Sequence, residues 1–191
     1  MSKIAIIGNG NVGKVLARGL GRIGHEVKNA TRKDAKEVAS WGQLCVLAVP
    51  FPAIDEVIRE TSGALDGKIV VDVTNALTPD MQLALGYSTS GAEQLQEKVP
   101  NARVVKCFNT VFAEHMEKGT VDGKQLTVFA AGDDEGSRRT ILRLAKAIGF
   151  DAVDAGPLVN ARALETMGFF NIQLGYTLGL GTKMGLRLFH H

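Results

Sequence analysis

The sequence is poor in the residues that cross-link or anchor a chain. Its 191 residues include two cysteines, one tryptophan and five prolines. Cys45 and Cys107 each sit inside an apolar run, which reads as reduced thiols in a reducing compartment rather than a disulfide framework. Neither sign of charge is in excess: 22 Lys and Arg stand against 20 Asp and Glu, for a net charge of +2. A balance that even lacks the basic footprint of a nucleic-acid or anionic-membrane binder. No stretch without a charged side chain is longer than residues 166–182, which are fewer than the roughly 20 residues a spanning helix needs and contain Asn171 and Gln173. The opening Met1-Ser2-Lys3-Ile4 carries no signal-peptide pattern, so a cytoplasmic protein is expected. His190 and His191 are given no weight.

Apolar bulk and glycine are what the chain has in quantity. Hydrophobic residues make up 45% and charged ones 22%, an ordinary globular composition that argues against disorder. The 22 glycines exceed the usual share of about 7%. They follow no period, so their positions carry the information.

Residues 3–7 run through four apolar side chains in succession, as strands covered on both faces do. Val12, Leu16, Leu20 and Ile23 then repeat at helical spacing, and Gly24 supplies a stop. The pattern continues with a strand over 26–30, a short helix over 34–39, a buried strand over 44–49 ended by Pro50, and a helix over 53–60. A strand over 69–73 closes on Thr74-Asn75, and residues 76–92 read as a surface excursion. Further elements are a helix over 92–98, strands over 103–107 and 125–131, a helix over 136–148, a strand over 150–154, and helix from 158 onward. Strands alternating with crossover-length helices predict an α/β fold with a mostly parallel sheet. The expected organisation is one doubly wound, Rossmann-type domain over 1–155 and a small C-terminal helical appendage over 156–191.

Gly8-Asn9-Gly10-Asn11-Val12-Gly13 fits G-x-G-x-x-G, and it stands between a buried strand and an amphipathic helix, the context that gives the pattern meaning. The first glycine makes a tight turn, the second admits a pyrophosphate to the backbone, and the third packs helix on strand. Free N–H groups at the helix start then bind phosphate charge. A dinucleotide site is therefore expected. The NAD version places an acidic residue at the end of the second strand. Here the sequence reads Asn29-Ala30-Thr31-Arg32-Lys33, with no carboxylate until Asp34. A hydroxyl followed by two cations suits a 2′-phosphate, which makes NADP(H) the expected cofactor.

Several segments together resemble the NADPH-dependent reductases of the deazaflavin coenzyme F420, and equally the cytoplasmic oxidoreductase domain of the six-transmembrane metalloreductases. They are the glycine loop, Ala30-Thr31-Arg32-Lys33, Val70-Val71-Asp72-Val73-Thr74-Asn75, Val105-Lys106-Cys107-Phe108-Asn109-Thr110-Val111 and the run from Asp154 to Arg162. The stretch between Lys33 and Leu44 is short for either relative and leaves little room for a full helix and strand, so neither a third strand there nor any adenine contact it would make is assigned. The resemblance implies hydride transfer between NADPH and a small-molecule redox acceptor: coenzyme F420, FMN or FAD. It places the ring slot at the carboxyl ends of the strands, at Ala48, Val49, Pro50 and Phe51, at Thr74 and Asn75, and at Cys107, Phe108 and Asn109. Two alternatives stand beside it: a flavin-mediated ferric or cupric reductase, and a non-catalytic NADP-binding module that reports redox state.

Hydride delivery to such a ring needs no side-chain acid, and none is assigned. Neither Tyr87 nor Tyr176 has a lysine four residues on. His25 reads as structural, and His115 as a loop or helix-start residue. No metal ligands are expected: Asp133-Asp134-Glu135 reads as a helix start. Cys107 reads as inert packing in its strand, and Arg162 and Glu165 as a surface i, i+3 pair. Gly175-x-x-x-Gly179 and Gly181-x-x-x-Gly185 would put small residues one helical turn apart, to meet a ring or a second subunit, and a homodimer is expected.

Overall fold

The computed structural model describes residues 1–189; His190 and His191 lie outside the described residues. Five parallel strands form the main sheet: β1 (Lys3–Ile7), β2 (Glu26–Ala30), β3 (Leu44–Leu47), β4 (Ile69–Asp72) and β5 (Arg103–Lys106). Their spatial order is β2-β1-β3-β4-β5. The helices are α1 (Asn11–Arg22), α2 (Ala35–Trp41), α3 (Ile54–Thr61), α4 (Gly91–Lys98), α5 (Glu135–Ile148) and α6 (Ala161–Ile172).

Period-two alternation splits each strand between two cores. Ile4, Ile6, Leu44, Val46 and Val71 pack with Leu16 and Leu20 of α1 and Ile141 and Ala145 of α5. Ala5, Ile7, Cys45, Leu47 and Val70 pack on the other face, with α2, α3, α4 and Ala161 of α6. Apolar side chains on both faces are what a sheet covered twice requires. The architecture is the doubly wound α/β fold with helices at the C-terminus.

The chain leaves β1 for β2 on one side and reaches β3 on the other. This reversal opens a crevice at the strands' carboxyl ends. No strand pairs with the outer edge of β2 among the described residues. The short 31–43 connection holds only a 3₁₀ turn and the seven residues of α2 before β3 returns beside β1. A strand outside β2 is therefore missing.

The strand expected over 125–131 is broken at Leu126. Two short antiparallel pieces, β6 (Thr120–Val121) and β7 (Lys124–Gln125), precede β8 (Thr127–Ala130), which pairs in parallel with β9 (Asp151–Asp154). A bridge between Lys106 and Ala131 joins this pair to the main sheet.

The C-terminal expectation needs correction. Helix continues through α6 and one π-helical turn, Gln173–Thr177, but residues 178–189 are irregular. Gly179 and Gly181 take φ of +75° and +76°, so the two spaced glycine pairs do not share a helix face. Such glycines end a helix rather than extend it. The close approach is real at two of the four and lies within the chain. A Cβ on Gly175 would meet the Phe112 ring at 2.6 Å, and one on Gly185 would meet Leu126 at 2.7 Å. The tail is tied down by Thr127 N–H donating to the Leu186 carbonyl at 2.9 Å. No helix of the described residues is long and apolar enough to cross a membrane.

Candidate functional site

Ile7, Ala30, Leu47, Asp72 and Lys106 lie in register across the sheet, so the residues after them converge on one edge. Gly8 begins the first loop with φ of +127°, and a Cβ there would sit 2.1 Å from the Ala48 carbonyl oxygen. A Cβ on Gly13 would sit 2.3 Å from the carbonyl oxygen of Gly8. Gly10 differs: a Cβ there would meet nothing within 4 Å. It is the N-cap of α1, with no side-chain cap and no acidic residue in the first turn. Lys14 N–H donates to the Gly10 carbonyl at 3.0 Å, and the amide donors before it have no intrahelical partner. An open backbone face and an uncapped helix start suit a phosphate group.

Three adjoining clefts form a groove along this edge. The largest, about 620 Å³, is lined by Gly10, Asn11, Val12, Ala48, Val49 and Pro50, by Thr74 and Asn75, and by a wall at 77–81. A second, of about 310 Å³, holds Gly8, Asn9, Thr31, Arg32 and Glu56 and shares Val49 and Pro50 with the first. The third, of about 290 Å³, holds Asn109, Phe112, Gly168, Asn171 and Tyr176 and shares Asn11, Val12 and Asn75 with the first. Of the expected residues, Gly13 is buried behind the loop, Lys33 is exposed on the surface, and Cys107 is buried in the core; none of these three lines the groove.

At the β2 end, Thr31 donates to Asp34 Oδ1 through both its hydroxyl (2.7 Å) and its N–H (2.8 Å). Those two bonds, the hydroxyl first, hold the Asp34 carboxyl below the usual range. Arg32 is paired with Glu56 of α3 at 2.8 Å. The carboxylate missing from the end of β2 is thus supplied by α3, and it reaches the arginine.

At the other end, Asn75 and Asn109 interlock. Asn109 Nδ2 donates to Asn75 Oδ1, and Asn75 Nδ2 to the Asn109 carbonyl, each at 2.9 Å. Asn109 Nδ2 also donates to the Leu164 carbonyl of α6 at 2.8 Å. Phe108, with φ of +64°, makes the turn that leads into Asn109. That left-handed backbone is uncommon for an aromatic residue. A Cβ on Gly168 would lie 2.3 Å from Asn75 Oδ1, so α6 approaches the amide pair as closely as only glycine allows.

Beneath the pair lies a group of buried charges that the sequence reading missed. Lys106, with no exposed surface, donates to Asp72 Oδ2 at 2.9 Å, to the Thr74 carbonyl at 2.5 Å and to Glu165 Oε1 at 2.8 Å. Glu165 also accepts from the N–H groups of Gly91 and Ala92 at the start of α4. Burial pulls the Lys106 ammonium down, but the two carboxylates more than offset it and hold it above the usual lysine value. Glu165 is therefore no surface partner of Arg162. Arg162 instead forms a forked pair with Glu93, at 2.9 and 2.6 Å. Helical spacing gave the wrong partners because α6 turns Glu165 inward, toward a cation on β5. The available signal was a lysine and an aspartate at matching places in two apolar strands, since a buried cation needs a partner.

The other polar features have local roles. Asp134 caps α5 by accepting from Ser137 N–H at 2.7 Å. His115 Nε2 lies 2.7 Å from the Thr182 carbonyl and secures the tail, while the Ser2 N–H donates to His25 Nδ1. Burial pushes the thiols of Cys45 and Cys107 up to about 11 and about 12. No group of three His, Cys, Asp or Glu among the described residues is placed to hold a metal ion.

The family model of the coenzyme F420-dependent NADP oxidoreductases matches residues 3–43 and 28–76, which carry the glycine loop, Arg32 and Asn75. The chain is similar to that family over these residues. It is 28% identical over 142 residues to the F420-dependent NADP reductase of Methanocaldococcus jannaschii, covering 70% of this chain and 62% of that one. A crystal structure from Arthrobacter sp. FB24, provisionally described as an F420-dependent NADP reductase, superposes with a TM-score of 0.92 at 28% identity over the whole of both chains. The metalloreductase STEAP3 of Rattus norvegicus is 30% identical over 179 residues, or 86% of this chain. The chain spans only 36% of that larger protein. The resemblance to both groups thus stands, and the M. jannaschii and R. norvegicus proteins are both described as reductases.

Proposed function

We propose that the chain is a reductase that binds NADP(H) along the groove and reduces a flat ring, coenzyme F420 first and FMN or FAD second. The observation that carries this reading is the order of groups along one continuous edge. A cation stands at one end, an uncapped helix start in the middle, and an amide pair at the far end. NADPH, when bound, supplies a hydride. Arg32 would hold the 2′-phosphate, with Thr31 beside it able to join only by releasing Asp34, while the backbone of Asn9, Gly10, Asn11 and Val12 would hold the pyrophosphate. Ala48, Val49 and Pro50 offer small, uncharged walls, and Asn75 and Asn109 would fix the edge of the ring slot.

The acceptor ring would sit in the 290 Å³ cleft. Asn171 lines it, is buried, and donates its amide nitrogen to the Thr110 carbonyl at 3.2 Å. That carbonyl can only accept, so the amide cannot flip, and its Oδ1 has no partner among the described residues. Residues 156–189 serve as the appendage that walls this cleft. The exposure of Phe170, Tyr176, Leu178 and Leu180 supports a two-copy assembly through that region.

Likeness to STEAP3 over 86% of the chain favours a second reading, in which a bound flavin passes electrons to a ferric or cupric chelate. Anaerobic NADPH oxidation followed at 340 nm separates the two, with F420, FMN, FAD and a ferric chelate as acceptors. Fast F420 reduction supports the first reading. Turnover with flavin and chelate but not F420 supports the second, and no turnover with any acceptor contradicts both.

A further inference from the structure

Tyr176 is held in place by an unusual piece of backbone. α6 ends in the π-helical turn Gln173–Thr177, and such turns are rare and occur mostly at functional sites. This one is tied at three points. Gln173 Nε2 donates to the Met81 carbonyl at 3.3 Å, and the N–H groups of Leu180 and Gly181 donate to the carbonyls of Leu174 and Gly175 at 3.1 and 3.0 Å. Gly175 packs on Phe112, where a Cβ would come within 2.6 Å of the ring. The next side chain, Tyr176, meets the same ring edge to face, with centroids 5.7 Å apart and planes at 84°. Phe112 is buried, whereas Tyr176 is 64% exposed. An edge-to-face contact uses at most one face of the tyrosine, so a broad aromatic surface stays open on a fixed main chain.

That surface belongs to the third cleft. Tyr176 lines it, whereas the neighbouring exposed residues Phe170, Leu178 and Leu180 do not. No charged side chain lines this cleft among the described residues, so flat apolar contact is what it offers a ligand. We infer that the Tyr176 ring is the stacking platform for the electron acceptor, whose class is a planar conjugated ring of the isoalloxazine or deazaisoalloxazine type. A ring already fixed by Phe112 and by the tied turn meets the acceptor with little further ordering cost. Tyr176 holds the acceptor flat and takes no part in hydride transfer itself. This inference rests on the reductase reading of the groove.

Tyr176→Ala and Tyr176→Phe test it in anaerobic turnover with F420 and with FMN. Stacking on one aromatic side chain changes binding of a flat heterocycle about five- to a hundredfold, so Tyr176→Ala is expected to raise the acceptor KM by that factor. Tyr176→Phe keeps the ring and is expected to stay within about twofold of the parent. The KM for NADPH and the thermal midpoint are expected to stay unchanged in both, because the side chain is exposed and lines neither of the other two clefts. A dead-end complex with NADP+ gives a second readout. Binding of oxidised F420 or FMN is followed by fluorescence anisotropy, and stacking by the loss of fluorescence intensity. Stacked tyrosine quenches such rings far more than phenylalanine does. The parent is therefore expected to quench the bound ring, and Tyr176→Phe to bind it with much of the quenching lost.

An unchanged acceptor KM in Tyr176→Ala would overturn the inference while leaving the reductase reading in place. So would equal quenching by the parent and Tyr176→Phe, which would put a different group on the acceptor. So too would dissociation of a two-copy assembly in sedimentation of Tyr176→Ala, which would make the ring a subunit contact. A parent protein that reduces neither F420 nor FMN would overturn the reductase reading and this inference with it.

Discussion

Lys106 Nζ and Glu165 Oε1 lie 2.8 Å apart inside the protein, and the contact fastens α6 to the carboxyl end of β5. One residue earlier on α6, the Leu164 carbonyl accepts from Asn109. Two adjacent residues of one helix thus fix both the charged group under the groove and the amide pair on its rim. Lys106→Met would leave Asp72 and Glu165 as uncompensated buried charges. Loss of one partner of such a group costs about 3–5 kcal/mol. Urea unfolding should show that loss, and adding Asp72→Asn and Glu165→Gln should recover part of it. An unchanged midpoint in Lys106→Met would show that the ammonium is not what secures α6.

Gly8 and Gly10 stand two residues apart in the same motif and should respond in opposite ways. Gly8→Ala drives a methyl into the Ala48 carbonyl at a left-handed φ, and should destabilise the fold by at least about 2 kcal/mol. Gly10→Ala meets open space, and should leave stability within about 0.5 kcal/mol of the parent. Its effect should appear in NADPH affinity, because the added methyl stands in the cleft. Paired melting curves and nucleotide titrations read both.

Arg32 should decide between the two nicotinamide cofactors. Charge-assisted hydrogen bonds contribute about 1.5–3 kcal/mol, so Arg32→Ala should raise the KM for NADPH about ten- to a hundredfold and leave that for NADH nearly unchanged. Glu56→Gln should act in the other direction, releasing Arg32 from its pair. That pair is exposed, so its removal should improve NADPH affinity by less than about fivefold. Steady-state KM values for both cofactors in the two variants check the signs.

Much of this site was legible in the sequence, and what was not has a common cause. Gly8 to Val12 of the glycine loop, Arg32 after β2 and the strand-end residues Ala48, Val49, Pro50, Asn75 and Asn109 are local signals, and all of them line the groove. In the main sheet, strand boundaries followed to within two residues from period-two and continuous apolar runs, whereas the strand expected over 125–131 breaks at Leu126. Long-range pairings were not legible. Lys106 finds Glu165 across 59 residues and Arg162 finds Glu93 across 69, and helix periodicity is silent on both. The spaced glycines near the C-terminus misled for a related reason: spacing specifies a face only if the helix continues. Cys107 misled differently, since a position at a strand end does not say which way its side chain turns.

The two buried thiols should give the folded state an alkaline limit. Both have folded values raised above the ordinary 9.0, to about 11 for Cys45 and about 12 for Cys107, chiefly through desolvation. The unfolded chain releases their protons first as pH rises, so their contribution is full below pH 9 and is lost between pH 9 and these folded values. Each thiol should lower stability by about 1.4 kcal/mol per pH unit within that window. Urea titrations from pH 8 to pH 10.5 should show the decline (approximate range set by the thiol window), and Cys45→Ala with Cys107→Ala should flatten it.

Calorimetric titration of the parent protein with NADPH and NADH tests most directly whether this edge of the sheet is an NADP(H) site. NADPH is expected to bind at least about tenfold tighter than NADH, from one charge-assisted contact to the 2′-phosphate. Raising salt is expected to narrow the gap, because the contact is exposed and screened. Equal affinities at low salt would contradict the assignment of Arg32, and no binding of either nucleotide would contradict the site as a whole.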